Sequence, residues 1–497
     1  MIRTHEQSLE AWMSRITCLL VGLALGAGCT TRSPEQQIIE DAAEALGGRD
    51  RILSLRTLTI EGEGTNGNLG QDMTPEASSQ TFSVTAYRRL VDLTAERFRV
   101  EQTRTPNFSY FQGPAPQRQV FGLDGDVAYT IAANGTATRA AQAVVRDRRA
   151  DLLHHPITIV RAALDPGATL GNARTFDGEH VVAVTTADGR AFTLATAVNT
   201  NLPSRVTSMA YNANLGDVAI ETRFGLYQDV QGVKLPTGLV TKTDQSTTAE
   251  LDVKRHVVDA DLGDIAAPAA TISSTAASGP PAPNVVVEEV APGVWLLGGQ
   301  SHHSALIEFA DHLTLIEGPQ SEARTLAVIA KARELRPSKP LTHLVNTHHH
   351  FDHSAGIRAA VSEGLTIVTH QANADYFLES AKRSHSLQPD ALTKNPKPIK
   401  VETVGDGVVY KDSAMTMTLY HVEGSGHGDA ILMAYLPRER IVIEVDVYAP
   451  GGAVQPYAAN FLENIRKRNL RVDRIVPLHG RIGTYQELET TAMPPTS

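Results

Sequence analysis

The stretch 341–353, LTHLVNTHHHFDH, decides how this chain is read. Leu341 to Thr347 read as a buried strand, and a helix is expected near 355–362, so the histidines occupy a strand–loop–helix connection. Functional residues of open α/β sheets collect at the carboxyl ends of strands. Alternate residues of an extended chain point the same way, so His348 and His350 can face one side. The turn through Phe351 can then aim Asp352 and His353 at a neighbouring point. Imidazole and carboxylate are ligands that suit zinc. Four donors within six residues exceed what one tetrahedral zinc takes from one loop, which points to two adjacent ions. A merely solvated polyhistidine turn would have no need of the internal Asp or of the flanking strand and helix.

Working outward, strand LTLIE (313–317) leads to a helix over 322–335, then to the strand 341–347, the loop, and a further strand LTIVT (365–369). Strands alternating with helices predict an α/β domain. The grammar is different upstream. Ser33-Pro34 opens a helix with an N-cap and a proline at its first position, Ile38, Ile39, Ala42, Ala43 and Leu46 recur at helical spacing, and Gly47-Gly48 closes it. From Leu58 to about Thr243 short strands alternate with turn signals such as Asp188-Gly189 and Gln231-Gly232, which predicts a largely antiparallel β domain. Residues 266–284, AAPAATISSTAASGPPAPN, read as an extended, solvated linker. The expected organisation is a β-rich domain over 30–265, the linker over 266–284 and a catalytic domain over 285–497.

The composition agrees with this division. A chain of 497 residues is too long for one ordinary domain. With 45 basic and 55 acidic residues the formal charge is −10, which argues against nucleic acid as a partner, and an aromatic content of 5% argues against a base-stacking platform. Thirteen of the eighteen histidines follow residue 300, so the chemistry belongs to the C-terminal part. The two cysteines, Cys18 and Cys29, lie in the first 30 residues, so no later thiolate can serve as ligand or nucleophile. Residues 16–27, ITCLLVGLALGA, follow Arg3 and Arg15 and are too few to span a bilayer, but they suit the apolar core of a signal peptide. Gly28-Cys29 and a polar stretch come next. That pattern resembles a bacterial lipoprotein signal over 1–29 with Cys29 as the lipidated residue, although Leu25 sits one step further from the cysteine than is usual. A plain secretory signal is the alternative. Either predicts export to the periplasm, the outer membrane or beyond, with membrane association only through a lipid on Cys29.

His348-x-His350-x-Asp352-His353 resembles the H-x-H-x-D-H signature of the metallo-β-lactamase superfamily, over roughly residues 285–485. The resemblance implies an αββα sandwich with the metals at one edge between two sheets. The family's further ligands occur in order: His427 in Gly426-His427-Gly428, with His421 as competitor, Asp446 at the end of 440–446, with Glu444 as rival on the same strand face, and His479 in Pro477-Leu478-His479-Gly480. Carried over, one zinc would take His348, His350 and His427, the other Asp352, His353 and His479, and Asp446 would bridge them. The absence of a ligand cysteine and the histidine at 350 favour a dizinc hydrolase over the cysteine-using lactamase subclass and the diiron branch; a mononuclear iron dioxygenase keeps similar ligands. The implied reaction is attack of a water, its pKa lowered by two zinc ions, on an ester, lactone, thioester or amide of a small molecule, with Asp352 as the catalytic residue that orients it. A β-lactam is one such substrate. Tyr448 is read mainly as packing, with an oxyanion role as the alternative, and His302-His303 mainly as surface residues, with a place at the rim of the site as the alternative.

The N-terminal part resembles the half-barrel of lipoprotein carriers through Ala45-Leu46-Gly47-Gly48, the segment 202–206 and the segment 227–236. That resemblance leaves two roles open, a spacer or an apolar face for a hydrophobic ligand. With the latter goes a competing expectation, a non-catalytic lipoprotein. His154, His155, His180 and His256 show no ligand spacing and are expected to be structural or surface residues.

Overall fold

The computed structural model describes residues 32–109, 111, 113–276, 282–452 and 455–492; the expected signal segment and Cys29 lie outside them. No helix among the described residues is long and apolar enough to cross a membrane.

Helix Pro34–Leu46 begins where the sequence places it. Ser33 and Gln36 form a reciprocal capping box, and Ile39, Ala42, Ala43 and Leu46 are its buried face. A thirteen-stranded antiparallel sheet follows. It grows in both directions from the central pair Thr57–Gly67 and Ser246–Val258. Two further helices, Gln142–Leu152 and Pro156–Leu164, interrupt the strands midway. The sequence reading passed over them, although His155-Pro156 is an N-cap followed by a proline in the first turn. Their apolar faces share one buried cluster with helix Pro34–Leu46 and the sheet, in which Ile157, Ile159, Val160 and Leu194 are fully enclosed. Each such side chain stabilises the domain by roughly 1.5–3 kcal/mol relative to exposure. The apolar residues of this cluster on the sheet are thus packed against the chain's own helices.

His154, His155 and His256 are buried, and His180 is half-buried beside Thr175. His154 lies between Thr222 (3.0 Å from Nδ1) and Ser208 (2.8 Å from Nε2), and His256 Nε2 donates to the Pro236 carbonyl. Burial pulls the His154 pKa down to about 4. An unfolded imidazole takes its proton near 6.5, so stability that is complete above that pH is lost as the pH falls from 6.5 towards 4. The loss expected from this group is about 3 kcal/mol. Thermal melts across that range should show it, and His154→Gln should flatten the slope; an unchanged slope would assign the effect to other groups.

The described residues 266–276 depart from the extended linker expected over 266–284. Ala269–Ser273 is a short helix with Thr271 buried, and Arg139 donates to the Ser274 carbonyl.

The C-terminal part has four layers. A seven-stranded sheet runs from Val286–Ala291 to Lys400–Val404, and a six-stranded sheet from Gly407–Lys411 to Gly483–Thr484. Between them lies an apolar layer that includes Ile316, Val345, Leu419, Ile443 and Val476. Alternation along each strand supplies the outer faces. Leu315 and Leu344 face helices Glu322–Leu335 and Ile357–Ser362, while Val442 and Ile475 face helices Ala458–Lys467 and Tyr485–Ala492. This is the helix–sheet–sheet–helix order expected.

Candidate metal centre

Parallel pairing sets the location of the site. Strands Leu313–Ile316 and Leu341–Val345 are parallel neighbours in one sheet, and Ile441–Glu444 and Arg474–Pro477 in the other. Glu317, the segment Thr347–His353, Asp446 and His479 each follow the carboxyl end of one of these strands. Four separate pieces of sequence therefore reach the same rim.

Two groups of donors form there. His348, His350, His427 and Asp446 each offer an atom within 4.8 Å of one another, and so do His302, Asp352, His353 and His479. Asp446 stands between them. Its Oδ2 is 3.1 Å from His427 Nε2, 3.4 Å from His348 Nε2 and 2.9 Å from His353 Nε2, and its Oδ1 is 3.0 Å from His479 Nε2. All seven residues singled out in the sequence are thus brought together. His349 turns the other way, edge-on to Tyr376 with ring centroids 5.9 Å apart, as extended-chain alternation predicts.

The alternatives separate on backbone geometry. His421 lies outside both groups and bonds to the Asp429 carbonyl at 2.7 Å. Glu444 does not share a strand face with Asp446, because the strand ends at Glu444 and Asp446 has φ +60. Its buried carboxyl receives the backbone N–H groups of Val447 and Tyr448 and so shapes the turn that presents Asp446. Burial, and then the Asp446 charge, hold the Glu444 carboxyl well above the usual range. Tyr448 packs with Val447 and Phe461 and also borders the cavity beside Asp446. His302 corrects the expectation of a surface residue. Its Nε2 is 3.1 Å from Asp352 Oδ2, and its ring lies 3.9 Å from that of His479. The available signal was its position in the turn after strand Val294–Gly298, whose carboxyl end reaches the same rim.

Buried partners orient the rings. Glu317 is fully buried: its Oε1 accepts from Thr347 N–H at 2.7 Å and its Oε2 from His353 Nδ1 at 3.1 Å. A carboxylate only accepts here, so His353 holds a proton on Nδ1, and Nε2 is the nitrogen that faces the cluster. The Asp72 carbonyl accepts from His350 Nε2 at 2.9 Å, which leaves Nδ1 facing inward. Gly356 permits the close return of the loop: a Cβ there would come 1.8 Å from Thr325 Oγ1.

The electrostatics suit a cation. Burial keeps the His348 and His350 pKa values well below normal, so both present lone pairs. Burial opposes charge on His353 as well, yet Asp446 and Asp352 outweigh it and raise its pKa well above normal. Burial would raise Asp446, but His353, His479 and His427 hold its carboxyl well below the usual range. His348 Nε2 is buried with no hydrogen-bond partner. His350 Nδ1 and His427 Nε2 approach to 3.0 Å, and His353 Nε2 and His479 Nε2 to 3.1 Å. Imidazole nitrogens and carboxylates converging in this way form the donor set expected of zinc. A cavity of about 460 Å³ opens onto Gln71, Asp352, His427, Asp446, Tyr457 and His479.

Residues 297–443 match the sequence profile described as the metallo-beta-lactamase superfamily, and this segment is a domain of that superfamily. The match ends before Asp446 and His479, which join the site through the fold. Among solved structures, the chain resembles a metallo-beta-lactamase from Pontibacter korlensis at 18% identity, over 42% of this chain and 97% of that one, with a TM-score of 0.33. A metallo-beta-lactamase from Hirschia baltica gives 18% identity, 42% and 96% coverage and a TM-score of 0.33. The FIM-1 enzyme of Pseudomonas aeruginosa in its mono-zinc form gives 18%, 43% and 95%, and 0.32. No curated protein matches the chain.

Proposed function

We propose that this protein is a zinc-dependent hydrolase that cleaves an ester, lactone, thioester or amide bond of a small molecule, with two zinc ions per chain. The observation that carries this reading is the meeting of six histidines and two aspartates in two groups on one rim. His348, His350 and His427 would hold one ion, and Asp352, His353 and His479, with His302 beside them, the other; Asp446 would serve both. When bound, such a pair supplies Lewis acidity and makes water a nucleophile near neutral pH. The chain's own groups do the rest. Asp352 borders the cavity and would orient the attacking water. Glu317 and the Asp72 carbonyl keep His353 and His350 in the ligating tautomer. The cavity volume suits a small molecule. Residues 1–29 are read as the export signal, with Cys29 as the lipid-bearing residue.

Metal analysis of the purified full chain should give close to two zinc per chain. A panel of lactam, lactone, thioester and ester substrates should show turnover that a chelator removes and added zinc restores. A protein that takes up no metal, or whose turnover survives chelation, would not be this enzyme.

A further inference from the structure

The β-rich domain reaches into the metal centre. The segment Gly70–Met73, in the connection between strands Thr57–Gly67 and Thr81–Asp92, makes four consecutive contacts with it. The Gly70 carbonyl accepts from Phe351 N–H at 3.1 Å, and Gln71 Nε2 donates to Asp352 Oδ1 at 2.7 Å. The Asp72 carbonyl accepts from His350 Nε2 at 2.9 Å, and the Met73 carbonyl from Asp429 N–H at 2.9 Å. Gly70 has φ +78 and lies against the Phe351 ring, where a Cβ would come 2.2 Å from Cγ. From the same domain, Asn214 Nδ2 donates to the Phe351 carbonyl at 2.9 Å.

We propose that Gly70–Met73 is a built part of the metal centre, with Gln71 the positioning residue for Asp352 and the Asp72 carbonyl the positioning group for His350. The inference rests on the metal-centre reading above and assigns the β-rich domain a role in it. The geometry divides the work between the two contacts. Gln71 occupies Oδ1 of Asp352, so Oδ2 is the oxygen turned to His302 and His353, at 3.1 and 3.6 Å. A carbonyl cannot donate, so the Asp72 contact forces the His350 proton onto Nε2 and commits Nδ1 to the side of His427. One segment thereby serves a ligand in each group. Gln71 also borders the cavity, which places it where a bound small molecule would meet the β-rich domain.

The test uses the metal-free full chain titrated with Co²⁺, followed by visible absorption, and with Zn²⁺ against a competing chelator. Gln71→Leu should weaken one equivalent by about 10–100-fold and alter its absorption band while sparing the other, as partners of metal ligands do. Gly70→Ala, which pushes the whole segment off Phe351, should weaken both. Unchanged melting of the metal-free variants would separate these effects from misfolding, and Gln71→Met stands in if the leucine variant does not fold. Two equivalents that bind Gln71→Leu or Gly70→Ala as they bind the parent, with the same spectrum, would overturn the proposal while leaving the hydrolase reading intact. A parent protein that binds no cobalt or zinc would overturn both.

Discussion

Asp446→Asn is expected to abolish hydrolysis, by on the order of 10³-fold or more, about 4 kcal/mol of transition-state stabilisation. The carboxylate lies within 3.4 Å of nitrogens from His348, His427, His353 and His479, so it is the one group shared by both donor sets. A neutral amide there would remove the anion that the two proposed ions would share and put a donor where an acceptor is required. Asparagine is the informative replacement because Asp446 has φ +60, a conformation that asparagine adopts at lower cost than alanine. The asparagine variant should carry at most one zinc, and its metal-free melt, lower than the parent's because His353 loses its buried counter-charge, separates that loss from misfolding. Asp446→Ala should lose roughly 1–2 kcal/mol more from backbone strain alone. Metal analysis, melting and turnover on the same preparations check this. An asparagine variant that keeps two zinc ions and its activity would remove Asp446 from the centre.

Glu317 gives the second large effect, and its two variants should fail differently. Glu317→Ala leaves the buried Thr347 N–H without an acceptor and His353 without its orienting partner. The unsatisfied donor costs about 1–3 kcal/mol, and the cavity adds to it. Glu317→Gln keeps an oxygen for Thr347 but turns an amide N–H towards His353 Nδ1. The ring must then carry its proton on Nε2, the nitrogen that faces Asp446 at 2.9 Å, and has no lone pair to offer there. The glutamine variant should stay within about 1 kcal/mol of the parent in stability, as expected when the buried N–H keeps its acceptor. It should nevertheless bind its second zinc 10–100-fold more weakly, in the range found for lost partners of metal ligands. Denaturant titration and chelator competition separate the two quantities. Equal metal affinity in parent and glutamine variant would mean that Glu317 serves the fold alone.

These two residues also mark how far the sequence could be read. Asp446 was chosen from the sequence, but strand alternation left Glu444 as a rival, and what separates the two is a backbone turn beyond the strand end. Glu317 carried no signal of its own, because the last residue of an apolar strand looks the same whether it meets solvent or a histidine 36 positions later. His302 was read as a surface residue for the same reason: its neighbour His479 is 177 positions away and joins it only when two sheets close. The helices Gln142–Leu152 and Pro156–Leu164 were lost in a long run of strand-like segments, although local capping marked the second.

By itself the sequence determined what short-range backbone geometry can encode. The strand 341–345, the alternation that faces His348 and His350 together, the turn to Asp352 and His353, and the change from antiparallel strands to alternating strands and helices all follow from residues a few positions apart. His427, Asp446 and His479 were already named through the resemblance, and the tertiary structure brings them together and sets His421 and Glu444 aside; it alone added His302 and Glu317, and Gly70–Met73 from the other domain. No periodicity links such residues. They meet because parallel strands in two sheets end at one rim and because a loop from a second domain packs against it, and the first depends on burial of apolar layers away from the site itself.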